Sequence, residues 1–344
     1  AQIACLLTWG SYLGYLLIQI ACTLLQNAVL SHLADKMYPF LRKKQKCAPM
    51  HRKQELNDNI RSMFLYKLAT ILINNTDNIL ISVMLGTVFV GYYSNYASLT
   101  TYVTTFVSIV ITGISASLGN LNAEKDSEKS YAMFRNLIVL FGAITGFCVA
   151  AYGAVVQDFI PIWVGEEYLM DTGTVAAVLF TFYLSTIVAP VWMYRETLGL
   201  FRQMKYVMFM TALVNILLSI LLGHFFGVAG IIGGTIISSL LTCVWFEPYV
   251  LMRYGIEEDW QKKLRRYFMD YIVRWVVVAG VSAVSYWIFQ LMPQTNFLWF
   301  IVQGLIYTAI FAAVVLVVYG RTKEFQYLLE MTVRKLKKKL RGGE

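Results

Sequence analysis

Nine stretches of about 20 mainly apolar residues recur along the chain, and they limit its fold more than any other feature. A helix of about 20 such residues crosses the hydrocarbon core of a bilayer. The stretches lie at about 12–33, 63–85, 93–118, 132–156, 175–194, 206–226, 228–250, 271–291 and 297–319. The sequence therefore predicts an all-α polytopic membrane protein with about nine transmembrane helices.

The composition agrees with a membrane protein. Of the 344 residues, 58% are hydrophobic and 14% are charged, whereas soluble domains are about half apolar and about a quarter charged. The five cysteines are scattered and form no CxxC pattern, so we interpret them as small apolar residues. No cofactor is expected.

The positions of the 29 Lys and Arg residues predict the topology. All of them belong to the connections after the first, third, fifth and seventh spans, to the span ends beside those connections, or to the C-terminal tail. Because cytoplasmic segments retain basic residues, we expect these segments and the C-terminus to be cytoplasmic. The net charge of +9 follows from this orientation and gives no reason to expect a nucleic-acid partner.

The two ends of the sequence carry further predictions. Residues 3–9 resemble the end of another apolar helix, so we favour an N-terminally truncated transporter over a chain that has lost a signal peptide. Segment 324–340 is amphipathic and basic, and segment 256–268 looks like a shorter version of it. Such helices lie on anionic membrane lipids, although a solvated basic tail explains them equally well.

Asp77 is the most informative single residue. It lies about 21 Å from the cytoplasmic end of the second span, at about 1.5 Å per residue, and carboxylates at that depth usually mark an ion or substrate path. A polar stripe on the same helix includes Lys67, Asn74 and Asn78. We predict an ion-coupling role for Asp77 together with Asn74 and Asn78, with a hydrogen-bond cluster between helices as the alternative.

Ser219 on the sixth span and Thr235 on the seventh reach about the depth of Asp77, and Asn215 lies about one turn nearer the cytoplasmic side, at about 13 Å. Asn215 and Ser219 are four residues apart on one helix face, and Thr235 lies about 22 Å from the cytoplasmic end of its span. One carboxylate with amide and hydroxyl oxygens suits a hard monovalent cation, and a carboxylate alone could carry a proton. Plain helix packing is the alternative.

Four candidate substrate contacts lie nearer the membrane surfaces. Pro190 is expected to kink the fifth span and to direct Arg195 toward a cavity where it could meet a phosphate, with Lys67 as a further cationic contact. The alternative for Arg195 is a loop residue that only fixes the topology. Tyr93 and Asn95 open the third span at its outer end, as an interfacial belt or as a sugar-stacking surface.

An enzyme is not expected. The three histidines are far apart, no HExxH or GxSxG motif occurs, and the outer connections are short. Glu166, Glu167 and Asp171 are the only carboxylates that could serve a polysaccharide-modifying enzyme at an interface, and a solvated acidic loop explains them.

Five runs in the same order along nearly the whole chain carry a family resemblance. They are TDNILISVMLGTVFVGYYSNY at 76–96, SLGNL at 117–121, FIPIWVGEEYL at 159–169, PVWMYRETLGLF at 190–201 and GVAGIIGGTIIS at 227–238. These runs resemble bacterial repeat-unit polysaccharide and O-antigen flippases, the Wzx-type branch of the multidrug/oligosaccharidyl-lipid/polysaccharide exporter superfamily. NAVLSHLADKMYPFL at 27–41 resembles the end of the sixth helix in that family.

The resemblance implies a MATE-like helical bundle of two six-helix lobes and two extra helices. Residues 1–60 would then be the end of the N-lobe, 61–252 a complete C-lobe, and 253–344 the extra helices with their basic tail. Most of the N-lobe would be missing. Members of this family move undecaprenyl-pyrophosphate-linked oligosaccharides across the bacterial cytoplasmic membrane by alternating access.

The resemblance also implies partners and an ion site. Glycosyltransferases and a polysaccharide polymerase would act beside such a flippase. Related lipid II flippases bind sodium through residues on helices where Asp77, Asn215 and Thr235 lie in this chain, but Ser219 stands where they have a second acid. Sodium or proton coupling is therefore expected, and a multidrug/cation antiporter of the same superfamily is the alternative function.

Overall fold

The computed structural model describes residues 5, 11–39, 50–124, 126–290, 297–327 and 329–330. Every regular element within these ranges is helical, as the sequence predicts. The α-helices are α1 (Tyr12–Met37), α2 (Met50–Met84), α3 (Thr87–Ala123), α4 (Ser127–Trp163), α5 (Thr172–Ile187), α6 (Ala189–Leu198), α7 (Phe201–Leu241), α8 (Cys243–Val250), α9 (Trp260–Gln290) and α10 (Phe297–Tyr319). A 3₁₀ turn, Glu166–Tyr168, precedes α5, and a π-helical turn, Leu251–Ile256, follows α8.

Five of the described helices or helical runs are long and apolar enough to cross a membrane. A sixth is obtained if α5 and α6, which are bent by 40° at Val188, form one span. The bend lies just before Pro190, where a kink is predicted. α2 is absent from this set because its polar run at 74–78 lowers its hydropathy. A helical membrane protein is therefore confirmed, and a total of nine spans stays a prediction.

The chain divides into two compact units, Ala1–Leu56 and Asn57–Glu344. In the first unit, α1 begins at Ser11, whose hydroxyl oxygen accepts a hydrogen bond of 3.2 Å from the Gly14 amide. α1 has no buried residue within the described part of the chain. A helix this apolar is stable with all faces exposed only in a lipid-like surrounding.

The second unit is built around α4, which contacts α3, α5, α6, α9 and α10. Thirteen residues of α4 are buried, and two of its glycines let neighbours approach closely. A Cβ on Gly142 would lie 2.8 Å from Cδ of Arg274, and one on Gly146 would lie 3.1 Å from the Phe311 ring. The predicted extra helices therefore pack directly on α4.

Ion pairs join α4 to the C-terminal part of this unit. Arg135 hydrogen-bonds to Asp270 on α9 and to Glu324 beyond α10, the latter at 3.0 and 3.1 Å. Most of segment 256–268 is the first part of α9, which begins at Trp260 and continues to Gln290, and its contact with membrane lipids stays a prediction. Most of segment 324–340 lies outside the described residues.

α7 folds back on itself at Gly227, where φ is 59° and ψ is −135°. This left-handed conformation is easily adopted only by glycine. Past the bend, a Cβ on Gly230 would lie 2.1 Å from the carbonyl oxygen of Leu222, and one on Gly234 would lie 2.4 Å from the Ser219 amide nitrogen. The two halves of α7 thus form one close-packed hairpin that brings residues near 219 and 235 together.

Gly230→Ala is expected to destabilise the protein by about 1–3 kcal/mol, because the added methyl group forces the two halves of α7 apart. The midpoint of thermal unfolding in detergent measures the effect. Gly233→Ala on the same turn is the matched control, since a Cβ there meets nothing within 4 Å. Equal midpoints for the two variants would contradict the close packing.

Protonation of Glu324 at low pH should lower the free energy of unfolding. Burial alone would raise the pKa of Glu324, but hydrogen bonds from its own amide and from Arg135 outweigh burial and hold this pKa below its ordinary value. A carboxyl with a lowered folded-state pKa adds stability above its unfolded pKa of about 4.3, and this stability is lost as the pH falls through the folded value. When the pH is lowered below about 4, the midpoint of thermal unfolding should therefore fall further in the wild type than in Glu324→Gln. Glu166→Gln is the control variant.

Candidate functional site

A hydrogen-bonded group of three side chains joins α2 to the α7 hairpin. The Thr235 hydroxyl donates to Asp77 Oδ1 at 2.7 Å and accepts from Asn215 Nδ2 at 2.7 Å. All three side chains are buried. The three residues that the resemblance assigns to an ion site are therefore in direct contact.

Ser219 is fully buried beside this group but has a different partner. Its hydroxyl donates to the carbonyl oxygen of Ile231 at 2.9 Å, within the α7 hairpin. Ser219 therefore stabilises the hairpin that positions Thr235. Asn78, by contrast, is exposed on α2 and does not line the cavity described below.

The three buried residues offer oxygens that suit a hard cation. Asp77 supplies a carboxylate and Thr235 a hydroxyl, while Asn215 Oδ1 is buried and has no hydrogen-bond partner among the described residues. A buried unpaired acceptor is unfavourable by about 1–3 kcal/mol, so a cation or a proton donor at this oxygen would be stabilising. Within the described residues, no three His, Cys, Asp or Glu side chains form a metal-binding group.

A cavity of about 330 Å³ lies next to this group. Thr235 and Asn74 line it, as do Lys67 and Arg195, so four of the predicted site residues share one cavity. Its other lining includes apolar and aromatic side chains such as Ile73 and Trp192. Two of the proposed ion residues and two of the proposed anion contacts therefore line one cavity, and Asp77 and Asn215 do not line it.

Arg195 is buried at the cavity and belongs to an ion pair that the sequence did not predict. Its NH1 group donates to Glu247 Oε1 at 3.0 Å and to the Tyr66 hydroxyl, and the Tyr66 hydroxyl itself donates to Glu247 at 3.2 Å. The guanidinium carbon lies 4.4 Å from the centre of the Tyr66 ring. Arg195 is thus fixed by α2 and α8.

Lys67 lies at the more open part of the cavity. Its Nζ is 3.6 Å from Glu196 Oε1, and both side chains are about half exposed, at 54% and 51%. The same carboxylate oxygen lies 3.8 Å from Arg195 NH2. Both candidate cations are therefore accompanied by carboxylates on the protein.

Tyr93 and Asn95 do not reach this cavity. Tyr93 packs in the apolar cluster that contains Ile81 and Tyr96. The neighbouring Tyr96 hydroxyl donates to Gln157 at 2.8 Å and accepts from the Met170 amide at 3.1 Å. This part of α3 therefore fastens the connection between α4 and α5, and its role in sugar binding stays a prediction.

Glu247 and Tyr66 are the site residues that sequence reasoning missed. A signal for Glu247 was present, because a carboxylate in the apolar run VWFEPYV is as costly as Asp77. Tyr66 gave no comparable signal, since one of 22 tyrosines at a span boundary resembles an interfacial aromatic.

No protein-family model, curated protein or solved structure matches the chain.

Thr235→Val is expected to lower the free energy of unfolding by about 1–3 kcal/mol, because Asp77 and Asn215 both lose a buried hydrogen-bond partner. Thr235→Ser keeps the hydroxyl and should retain most of the stability. Thermal unfolding of both variants in detergent measures the difference. If Val and Ser substitutions were equivalent, the hydroxyl would not join the two helices.

Proposed function

We propose that the chain belongs to a flippase that moves lipid-linked oligosaccharides across the bacterial cytoplasmic membrane by alternating access. The observation that carries the proposal is a single cavity lined by the buried Arg195, by Lys67 and by Thr235, whose hydroxyl donates a hydrogen bond to the buried Asp77 carboxylate. The protein is proposed to be a transporter and not an enzyme. Its C-terminus would be cytoplasmic.

Arg195 and Lys67 would meet the pyrophosphate of the lipid carrier. Arginine suits this role because its planar fork pairs with two phosphate oxygens, while lysine supplies a compact point charge. Asn74 and polar groups of the cavity would add hydrogen bonds. The MATE-like two-lobe arrangement, with an N-lobe that supplies the rest of the contact surface, belongs to the same proposal.

Asp77 would take the coupling cation, either sodium or a proton, with Thr235 and Asn215. The unpaired Asn215 oxygen supports a cation at this position, because it provides a second oxygen beside the carboxylate. A cation here would stabilise the contact between α2 and the α7 hairpin. Without the cation, the Asp77 carboxylate keeps its hydrogen bond from Thr235, and the buried Asn215 Oδ1 has no hydrogen-bond partner within the described residues.

A multidrug/cation antiporter is the second candidate. Tyr66 and Trp192 line the cavity beside Glu247, and aromatic rings with a carboxylate are suited to a cationic drug. Transport of a lipid-linked sugar and export of a cationic dye from the same vesicles would distinguish the two functions.

Asp77→Asn is expected to abolish the effect of an ion gradient on transport, because the amide cannot carry a proton and binds a cation weakly. The measurement is translocation of a lipid-linked oligosaccharide in vesicles containing the full-length protein, with and without a sodium or proton gradient. Asn75→Ala is the matched control, since Asn75 is exposed on the same helix and its side-chain amide donates a hydrogen bond to the Ile71 carbonyl of that helix. Full gradient dependence in Asp77→Asn would refute the coupling role.

A further inference from the structure

Arg195 uses only part of its hydrogen-bonding capacity within the site. A guanidinium group has five N–H donors, and the bonds to Tyr66 and Glu247 both involve NH1. Nε is buried and has no hydrogen-bond partner within the described part of the chain. The edge formed by Nε and NH2 is the edge with which arginine pairs side-on with a carboxylate or phosphate.

Glu196 occupies a position between the two cations without being tightly held. One oxygen, Oε1, lies 3.6 Å from Lys67 Nζ and 3.8 Å from Arg195 NH2. Both distances exceed those of a hydrogen bond. Because the Glu196 and Lys67 side chains are about half exposed, water screens this pair and little energy is needed to separate it.

Glu247 differs from Glu196 in every one of these respects. It is 5% exposed, bonds to Arg195 at 3.0 Å and accepts a further hydrogen bond from Tyr66. Removing a buried partner of this kind leaves an uncompensated charge. Glu247 is therefore the fixed counter-ion of Arg195, and Glu196 is the exchangeable one.

We infer that Glu196 is a built-in competitor for the anion site. A phosphate-type oxyanion enters the cavity, displaces the Glu196 carboxylate, and takes its place between Lys67 and the Nε/NH2 edge of Arg195. Glu247 keeps the guanidinium in place during this exchange. The inference rests on the proposed function, because it states how the same site would accept an anionic headgroup.

The exchange has a consequence for affinity that a simple binding site lacks. With Glu196 in place, Lys67 and Arg195 are balanced by two carboxylates, so an incoming anion replaces one negative charge with another. Neutralising Glu196 removes the competitor and its repulsion of the ligand. A carboxylate-to-amide change should therefore tighten binding, the opposite of what loss of a ligand contact does.

The test measures binding of inorganic pyrophosphate to the purified chain in detergent by isothermal titration calorimetry. Glu196→Gln is expected to bind about three- to tenfold more tightly than wild type, the size of a few screened charge contacts. Glu258→Gln makes the same charge change at an exposed residue in the connection before α9 and should leave the affinity unchanged. Thermal unfolding confirms that each variant is folded.

Removing a cation from the site should weaken pyrophosphate binding, which is the opposite of the effect expected for Glu196→Gln. Arg195→Gln leaves Glu247 buried and unpaired, so it could fail to fold. Lys67→Gln alters an exposed side chain and should weaken pyrophosphate binding several-fold. Weaker binding in Lys67→Gln together with tighter binding in Glu196→Gln would support the inference.

Two other outcomes would overturn it and are distinguishable. If Lys67→Gln weakens binding while Glu196→Gln is unchanged or weaker, the anion site exists but Glu196 does not compete for it, and the proposed function stands. If neither wild type nor Glu196→Gln binds pyrophosphate, there is no oxyanion site at this cavity, and the proposed function fails with the inference.

Discussion

The bundle depends on one constraint: a polar side chain placed among apolar helices must find its partner within the protein, on its own helix or on another, because lipid offers none. Three groups of residues in Asn57–Glu344 meet this constraint. Thr235 joins Asp77 to Asn215, Glu247 joins Arg195 to Tyr66, and Arg135 joins Asp270 to Glu324. Each group connects elements far apart in sequence, so the buried polar contacts specify how otherwise similar apolar helices are arranged.

Close apolar packing also helps to specify how the helices are arranged. Dispersion forces between lipid-facing helices differ little from those between helix and lipid, so close approach requires small residues. Gly230 and Gly234 permit that approach within the α7 hairpin, and Gly142 and Gly146 permit it between α4 and the C-terminal helices. The hydrogen bond between Thr235 and Asn215 spans the two halves of α7, so it can form only because the glycines bring these halves together.

Hydropathy predicts the helical class and Pro190 predicts the bend before it, since both are local properties of the sequence. The grouping of Asp77, Asn215 and Thr235 is implied only by the family resemblance, because depth alone groups Asp77 with Ser219 and Thr235. Depth arithmetic places residues at one level but does not identify which helix faces are in contact. Depth therefore could not predict that Ser219, at the level of Asp77 and Thr235, has its partner within the α7 hairpin. Nor could it predict that Asn78 lies on the exposed face of α2. Glu247 was missed for a related reason, because its value depends on Arg195, a residue 52 positions away.

The two parts of the site share α2, and this has a mechanical consequence under the proposed function. Tyr66 and Lys67 contact the anion side of the cavity, while Asp77 contacts the α7 hairpin. These positions are separated by about 15 Å along one helix, at about 1.5 Å per residue. A helix without an internal break transmits displacement along its axis, so α2 cannot shift to release Asp77 from Thr235 without also changing the position of Tyr66 against Arg195. Cation binding and anion binding would then be coupled through the rigidity of one helix, with no intermediate chain of side chains required.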